Sequence, residues 1–277
     1  VSKGFVVLAQ GESYIRQAYA LALSIKFSQK TYKNISIITN DVVPDEYQHI
    51  FDKIITIPWG DDSNQSRYRA ENRWKIYHAS PYNETIVLDT DMLVLEDIYS
   101  WWDYCSKYPI HYCSNIKNYK LESVIDTIHR KAFIHNKLTS PYSALHYFKK
   151  SDEAWNFYKT LEFVCKNWEY CYTIFAPNEY QNWLSMDLAA AIAIEITGMH
   201  NIAIGKFSPL EFVHMKIPLQ GWTMIPESWK DNAPYFLNSK GDLVVGNIKQ
   251  TKIFHYVEKE FLTNRIIFQF ERLLNNE

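Results

Sequence analysis

The chain has 277 residues, 47% of them hydrophobic and 22% charged, which excludes a disordered polypeptide. Its 29 basic residues nearly balance its 31 acidic ones, so no overall basic field indicates a nucleic-acid partner. No apolar run approaches the roughly 20 residues of a transmembrane segment, and residues 1–9 are too brief for the apolar core of a signal peptide.

Residues 5–9 read as a buried strand, with Ser13 as the N-cap of the helix that follows. In that helix Ile15, Ala18, Tyr19, Ala22 and Ile25 recur at helical spacing. Residues 35–39 and 53–58 are further strand candidates, and Pro44 opens a short helix between them. Residues 60–69 are polar and read as a loop; residues 70–79 read as a helix that Pro81 breaks. Residues 85–88 form a fourth apolar strand that runs straight into Asp89. This alternation predicts an α/β fold, a mainly parallel central sheet flanked by helices.

The second half is less regular. Residues 110–113 and 143–148 read as strands, and Ser151 and Ser185 as caps of two helices, the second stopped by Gly198. Residues 207–247, with many Pro, Gly and Trp, read as loop-rich. Residues 252–257 read as a strand, and Leu262, Ile266, Phe270 and Leu273 mark a last amphipathic helix. With no repeat and no linker, residues 1–277 are expected to form a single domain. The four cysteines, Cys105, Cys113, Cys165 and Cys171, match no zinc spacing and read as reduced thiols of a cytoplasmic protein.

The chemistry centres on Asp89-Thr90-Asp91. Two carboxylates at the end of a buried strand are costly unless something neutralises them. Ligands of open parallel sheets sit at the carboxyl ends of strands. A hard divalent cation, Mn2+ or Mg2+, bridging the carboxylates to a diphosphate meets both demands; a pair of carboxylates capping a turn is the plain alternative.

The run Ile86-Val87-Leu88-Asp89-Thr90-Asp91-Met92-Leu93-Val94-Leu95 resembles the Asp-x-Asp block of the glycogenin-like, family 8, glycosyltransferases of the GT-A fold. The stretch from Phe5 to Tyr14 is similar to that family's first strand and nucleotide-binding turn, and Asn72-Arg73-Trp74-Lys75 to the segment that brings a basic residue near the diphosphate. The resemblance implies a GT-A-like domain with a nucleotide-binding half, 1–100, and an acceptor-side half, 101–277. It implies that Leu8, Ala9 and Gly11 receive the nucleobase and that Tyr14 stacks on it. Arg73 would meet the phosphates, with Asp89, Thr90 and Asp91 on the donor. In Lys252-Ile253-Phe254-His255-Tyr256, His255 is similar to the family's third metal ligand.

The chain also departs from the family. Glu258 and Phe261 stand where a Gly and a Lys are usual, which leaves Lys259 or Lys252 to reach the diphosphate. Pro141-Tyr142-Ser143-Ala144-Leu145 replaces a usual Asn-x-Gly-type turn. Asp187, at a helix start, is similar to an acidic residue near the family's sugar site, and with Arg73 is the catalytic candidate. A helix-start Asp is otherwise a partner of the helix dipole.

The function implied is transfer of a sugar, with retention, from a nucleotide-sugar such as a UDP-sugar to an unidentified acceptor: a glycan, a protein or a small molecule. A nucleotidyltransferase is the second enzyme reading, weakened by Gln10-Gly11-Glu12, which offers one Gly and an acid where a triphosphate needs a Gly-rich, basic loop. A non-catalytic nucleotide- or sugar-binding protein on the same fold is the third. The aromatic stretches around 158–183, Trp222 and Trp229 read as core before they read as an acceptor wall.

Overall fold

The computed structural model describes residues 2–63, 69–179, 183–205 and 207–276. Of the expected loop at 60–69, residues 64–68 therefore lie outside the described residues. Strand β1 (Lys3–Leu8) lies inside the larger sheet, and its Phe5, Val6 and Val7 are fully buried. A parallel strand covered on both faces needs such a continuous apolar run. It pairs in parallel with β2 (Ile35–Ile38) on one side and β4 (Glu84–Leu88) on the other, and β3 (Lys53–Ile55) continues parallel from β2. Beyond β4 the direction reverses: β9 (Tyr142–Lys149) runs antiparallel to β4, and β6 (Ile110–Cys113) antiparallel to β9. The order is β3-β2-β1-β4-β9-β6.

Alternate residues of β1 serve two cores. Phe5 and Val7 pack with the helix Glu12–Ser28, whereas Val6 packs with the helices Asp152–Lys166 and Met186–Thr197. Ser151 caps the first of these two helices by accepting from the Ala154 N–H, and Ser185 caps the second by accepting from the Leu188 N–H. Gly198 ends the latter in the left-handed region at φ 66°.

A second sheet leans on the first. Its strands are β5 (Met92–Val94), β7 (Asn115–Lys117), β8 (Ser123–Val124), β10 (Glu211–His214) and β14 (Ile253–His255), in the order β5-β14-β10-β7-β8. A small antiparallel sheet joins β11 (Tyr235–Leu237), β12 (Leu243–Val245) and β13 (Ile248–Lys249). The last helix, Asn264–Asn275, packs on the first: Tyr19 donates to Glu271 at 2.8 Å and Arg16 to the Leu262 carbonyl at 2.6 Å.

Three local expectations need correction. The first helix begins at Glu12, with Gly11 and not Ser13 at its N-cap. Gly11 has φ 103°, a conformation that side chains disfavour, and its N–H donates to Asp41 at 2.7 Å. Residues 70–79 are not one helix: a 3-10 turn, Ala70–Lys75, precedes the short α-helix Ile76–Ala79. The supposed loop 207–247 contains β10, an interior strand of the second sheet. Four residues, Glu-Phe-Val-His, are too few to show alternation among prolines and glycines. The four cysteines are unpaired, and no helix among the described residues is long and apolar enough to cross a membrane.

His146 of β9 is buried between the Ser143 carbonyl at 2.9 Å and the Tyr158 hydroxyl at 3.1 Å. Burial, aided by the nearby Arg73 charge, pushes its pKa down to about 3. The unfolded chain therefore binds a proton that the native state refuses. The stability this group provides is complete above about pH 6.5 and is lost as pH falls towards 3. Urea unfolding at stepped pH should show the effect: His146→Gln should flatten the loss below about pH 6.5 by about 1.4 kcal/mol per pH unit.

Candidate active site

The chain leaves the first sheet at Leu88 and enters the second at Met92, and Asp89-Thr90-Asp91 is the crossing between them. The Asp89 N–H still donates to the Ala144 carbonyl of β9 at 2.9 Å, so the crossing starts in register with the large sheet. On the other side β5 pairs antiparallel with β14, setting Met92 opposite His255. The Tyr256 N–H then donates to the Asp91 carbonyl at 3.1 Å. Two strand ladders thus bring His255 onto carboxylates far from it in sequence.

One side-chain oxygen each of Asp89 and Asp91 and one ring nitrogen of His255 lie within 4.8 Å of one another. His255 Nε2 stands 3.0 Å from Asp91 Oδ2. Burial works to raise the Asp91 pKa, but His255 overrides it and holds the carboxyl below its usual range. Burial likewise works to lower the pKa of His255, and Asp91 overrides it upward. The ring is clamped by stacking on His214 at 4.8 Å and 17°. Two carboxylate oxygens and an imidazole nitrogen, drawn together but short of a full shell, are a donor set that suits a manganese-like divalent ion.

Asp89 and Asp91 border a cleft of about 370 Å³, lined also by Leu8, Tyr14, Arg73, Thr90, Ser143, Trp183, Met186 and Asp187 among others. Arg73, from the 3-10 turn, pairs with Asp89 at 2.5 Å and donates to the Ser143 carbonyl at 3.2 Å. Thr90 donates to Gln17 at 3.2 Å, tying the crossing to the first helix. Asp187 sits in the first turn of the helix Met186–Thr197. Its Oδ1 accepts from the Ser143 N–H at 2.7 Å and the Ser143 hydroxyl at 2.6 Å, and its Oδ2 pairs with Arg130 at 2.7 Å. Burial works to raise the Asp187 pKa, but Arg130 and Ser143 hold it below the usual range, so the group is ionised at neutral pH.

Most of the residues expected from the sequence meet here. Leu8, Tyr14, Arg73, Asp89, Thr90, Asp91 and Asp187 share the cleft, and His255 completes the acidic cluster. Ala9 is fully buried and Gly11 forms the turn into the first helix. Lys259 lies 3.9 Å over the Tyr14 ring and donates to Ser13 at 3.2 Å, so in this structure it covers one face of that ring. Lys252 pairs with Glu96 at 3.3 Å. Glu258 is occupied by the second sheet's loops: it accepts from the Ser228 hydroxyl and from the Trp229 N–H at 2.8 Å. Trp229 is fully buried core, whereas Trp183 is 51% exposed and lines the cleft.

Sequence reading missed Arg130, Ser143 and Gln10. Arg130 is buried, its guanidinium 3.6 Å over the Tyr142 ring and bonded to the Pro141 carbonyl at 3.1 Å. Only Pro141-Tyr142, flagged as a departure, hinted that this segment matters. Gln10 donates to Asp61 at 2.8 Å and accepts from Asn72 at 3.1 Å, bracing the turn after β1.

The two sheets have the GT-A fold, as the resemblance implied. The solved galactosyltransferase LgtC, in complex with donor and acceptor sugar analogues, is similar at a TM-score of 0.53 and 10% identity, covering 99% of this chain and 95% of that one. Mouse xyloside xylosyltransferase 1, in its apo form, is similar at a TM-score of 0.53 and 10% identity, covering 92% of this chain and 97% of that one. No protein-family model matches the chain, and no curated protein matches it in sequence.

A cation at Asp89, Asp91 and His255 must displace the His255 proton that Asp91 favours. Calorimetric titration with Mn2+ should show affinity falling as pH drops through the raised His255 pKa, by about tenfold per pH unit. His255→Ala should weaken binding overall and remove that slope.

Proposed function

We propose that the chain is a metal-dependent glycosyltransferase that moves a sugar from a nucleotide-sugar, a UDP-sugar by the resemblance, to a glycan, protein or small-molecule acceptor with retention of configuration. The convergence of Asp89, Asp91 and His255 at the carboxyl end of β4 supports this reading most. An acidic pair at a sheet's ligand-binding edge, answered here by Arg73 and His255, is the setting in which a cation can bridge an anionic substrate.

Asp89, Asp91 and His255 would hold the divalent ion, which when bound would supply Lewis-acid stabilisation of charge on a departing diphosphate. Arg73 holds Asp89 in place and aims a planar guanidinium into the cleft, where a phosphate can compete for it. Leu8 and Tyr14 give the cleft an apolar and aromatic end that suits a nucleobase. Asp187 has both oxygens engaged and stays ionised, which makes it a poor proton shuttle. It is suited instead to stabilise positive charge developing on the sugar ring. Among the described cleft residues no other carboxylate stands ready as a covalent nucleophile, which favours attack from the face the diphosphate leaves.

Assay of UDP release from a panel of UDP-sugars, with Mn2+ and with chelator, tests the proposal. Release should require the cation and fall at least about 100-fold in Asp91→Ala. Arg73→Ala should lower kcat/KM by about 10-fold or more through loss of a charge-assisted phosphate contact. Tight UDP binding with no release from any donor would replace this reading with the non-catalytic binding protein.

A further inference from the structure

The 3-10 turn Ala70–Lys75 has a cavity on each side. Arg73 faces the acidic cleft, while its neighbour Trp74 lines a second cavity of about 760 Å³. Its walls are Trp59, Trp74, His78 and Trp155, with Asp62, Glu71, Lys159, Glu162, Cys165 and Lys166 around them. The rings form a fixed box. Trp59 stacks on Trp74 at 5.6 Å and 12°, and His78 stands edge-on to Trp59 at 5.0 Å and to Trp155 at 5.1 Å. Trp59 is nevertheless 68% exposed and Trp155 45% exposed. Two large indoles packed into one cluster and both left facing water form a contiguous aromatic patch of the kind that meets a partner.

Trp59 carries a second sign. Its φ is 58°, in the left-handed region that bulky residues rarely adopt. The strained turn is held from beneath by Lys75, which is buried, donates to the Gly60 carbonyl at 2.6 Å and pairs with Asp62 at 2.8 Å. A buried lysine thus fixes a backbone that displays an indole rather than burying it.

The charges around the cavity select among ligands. Lys159 and Lys166 both pair with Glu162, at 2.8 and 2.7 Å. The two lysines share one carboxylate and also lie over the Trp155 and Trp74 rings, at 5.6 and 5.1 Å, so no cation of the groove is dedicated to an anionic ligand. It offers the indole of Trp59 and the edge of Trp155 amid charged groups of both signs. A pyranose has the matching chemistry: C–H faces that stack on indoles and hydroxyls around the ring edge that bond to carboxylates and amines. We propose that this aromatic groove binds a neutral oligosaccharide, held on Trp59 and Trp155. The site stands on its own residues, independent of any transfer reaction in the acidic cleft. A glycan seated there lies against the same turn that carries Arg73.

The test needs neither donor nor cation. Maltohexaose, cellohexaose, mannohexaose and chitohexaose are titrated into the intact chain, with saturation-transfer NMR and indole fluorescence as readouts. A hyaluronan hexasaccharide is the anionic comparison. At least one neutral hexasaccharide should bind with a Kd of about 1 mM or tighter. Trp59→Ala and Trp155→Ala should each weaken it about 5-fold to 10-fold, with unchanged melting temperature, and Trp155→Phe should retain part of the affinity. No neutral binding up to about 10 mM would overturn the proposal. So would binding that survives both alanine substitutions, or a preference for the anionic glycan over every neutral one.

Discussion

Asp89 and Asp91 carry their charges at the seam of two sheets, and the surrounding elements are arranged to answer them. Arg73 reaches Asp89 from the 3-10 turn, and His255 reaches Asp91 from β14, the strand beside β5. Thr90, between them, is tied to the first helix through Gln17. Removing either partner would leave a partly buried carboxylate uncompensated, a larger penalty than the pair's own attraction. The seam is therefore a place where the fold tolerates electrostatic tension that a bound cation would relieve.

A second pair repeats the pattern deeper in the cleft. Arg130, pressed on Tyr142, holds Asp187 while Ser143 binds its other oxygen. Ser143 also lends its carbonyl to Arg73. One residue at the start of β9 thus connects the two charged clusters. A shift of this segment would be felt at both Asp89 and Asp187.

What the sequence disclosed follows physical lines. The first hundred residues were legible because buried parallel strands leave continuous apolar runs, as in Ile86-Val87-Leu88, and because Asp89-Thr90-Asp91 interrupts one of them. Ser151, Ser185 and Gly198 were read correctly because caps are local. Gly11 displaced Ser13 because Asp41, distant in sequence, takes its N–H. Strand β10 was hidden by brevity, and Arg130 by chemistry: an arginine announces nothing until the fold shows which carboxylate it meets. Trp59 was hidden likewise, since exposure and backbone strain are properties of the folded turn.

The pairing of β5 with β14 has a kinetic consequence. It joins residues 92–94 to residues 253–255, so its loop-closure cost is among the larger ones in the fold. During synthesis from the N-terminus, Asp89 and Asp91 are exposed long before His255 exists. A nascent chain can form its first sheet once residue 149 has emerged, yet it lacks the histidine of the cluster until residue 255 follows. The acidic pair therefore meets its imidazole only as the second sheet is completed.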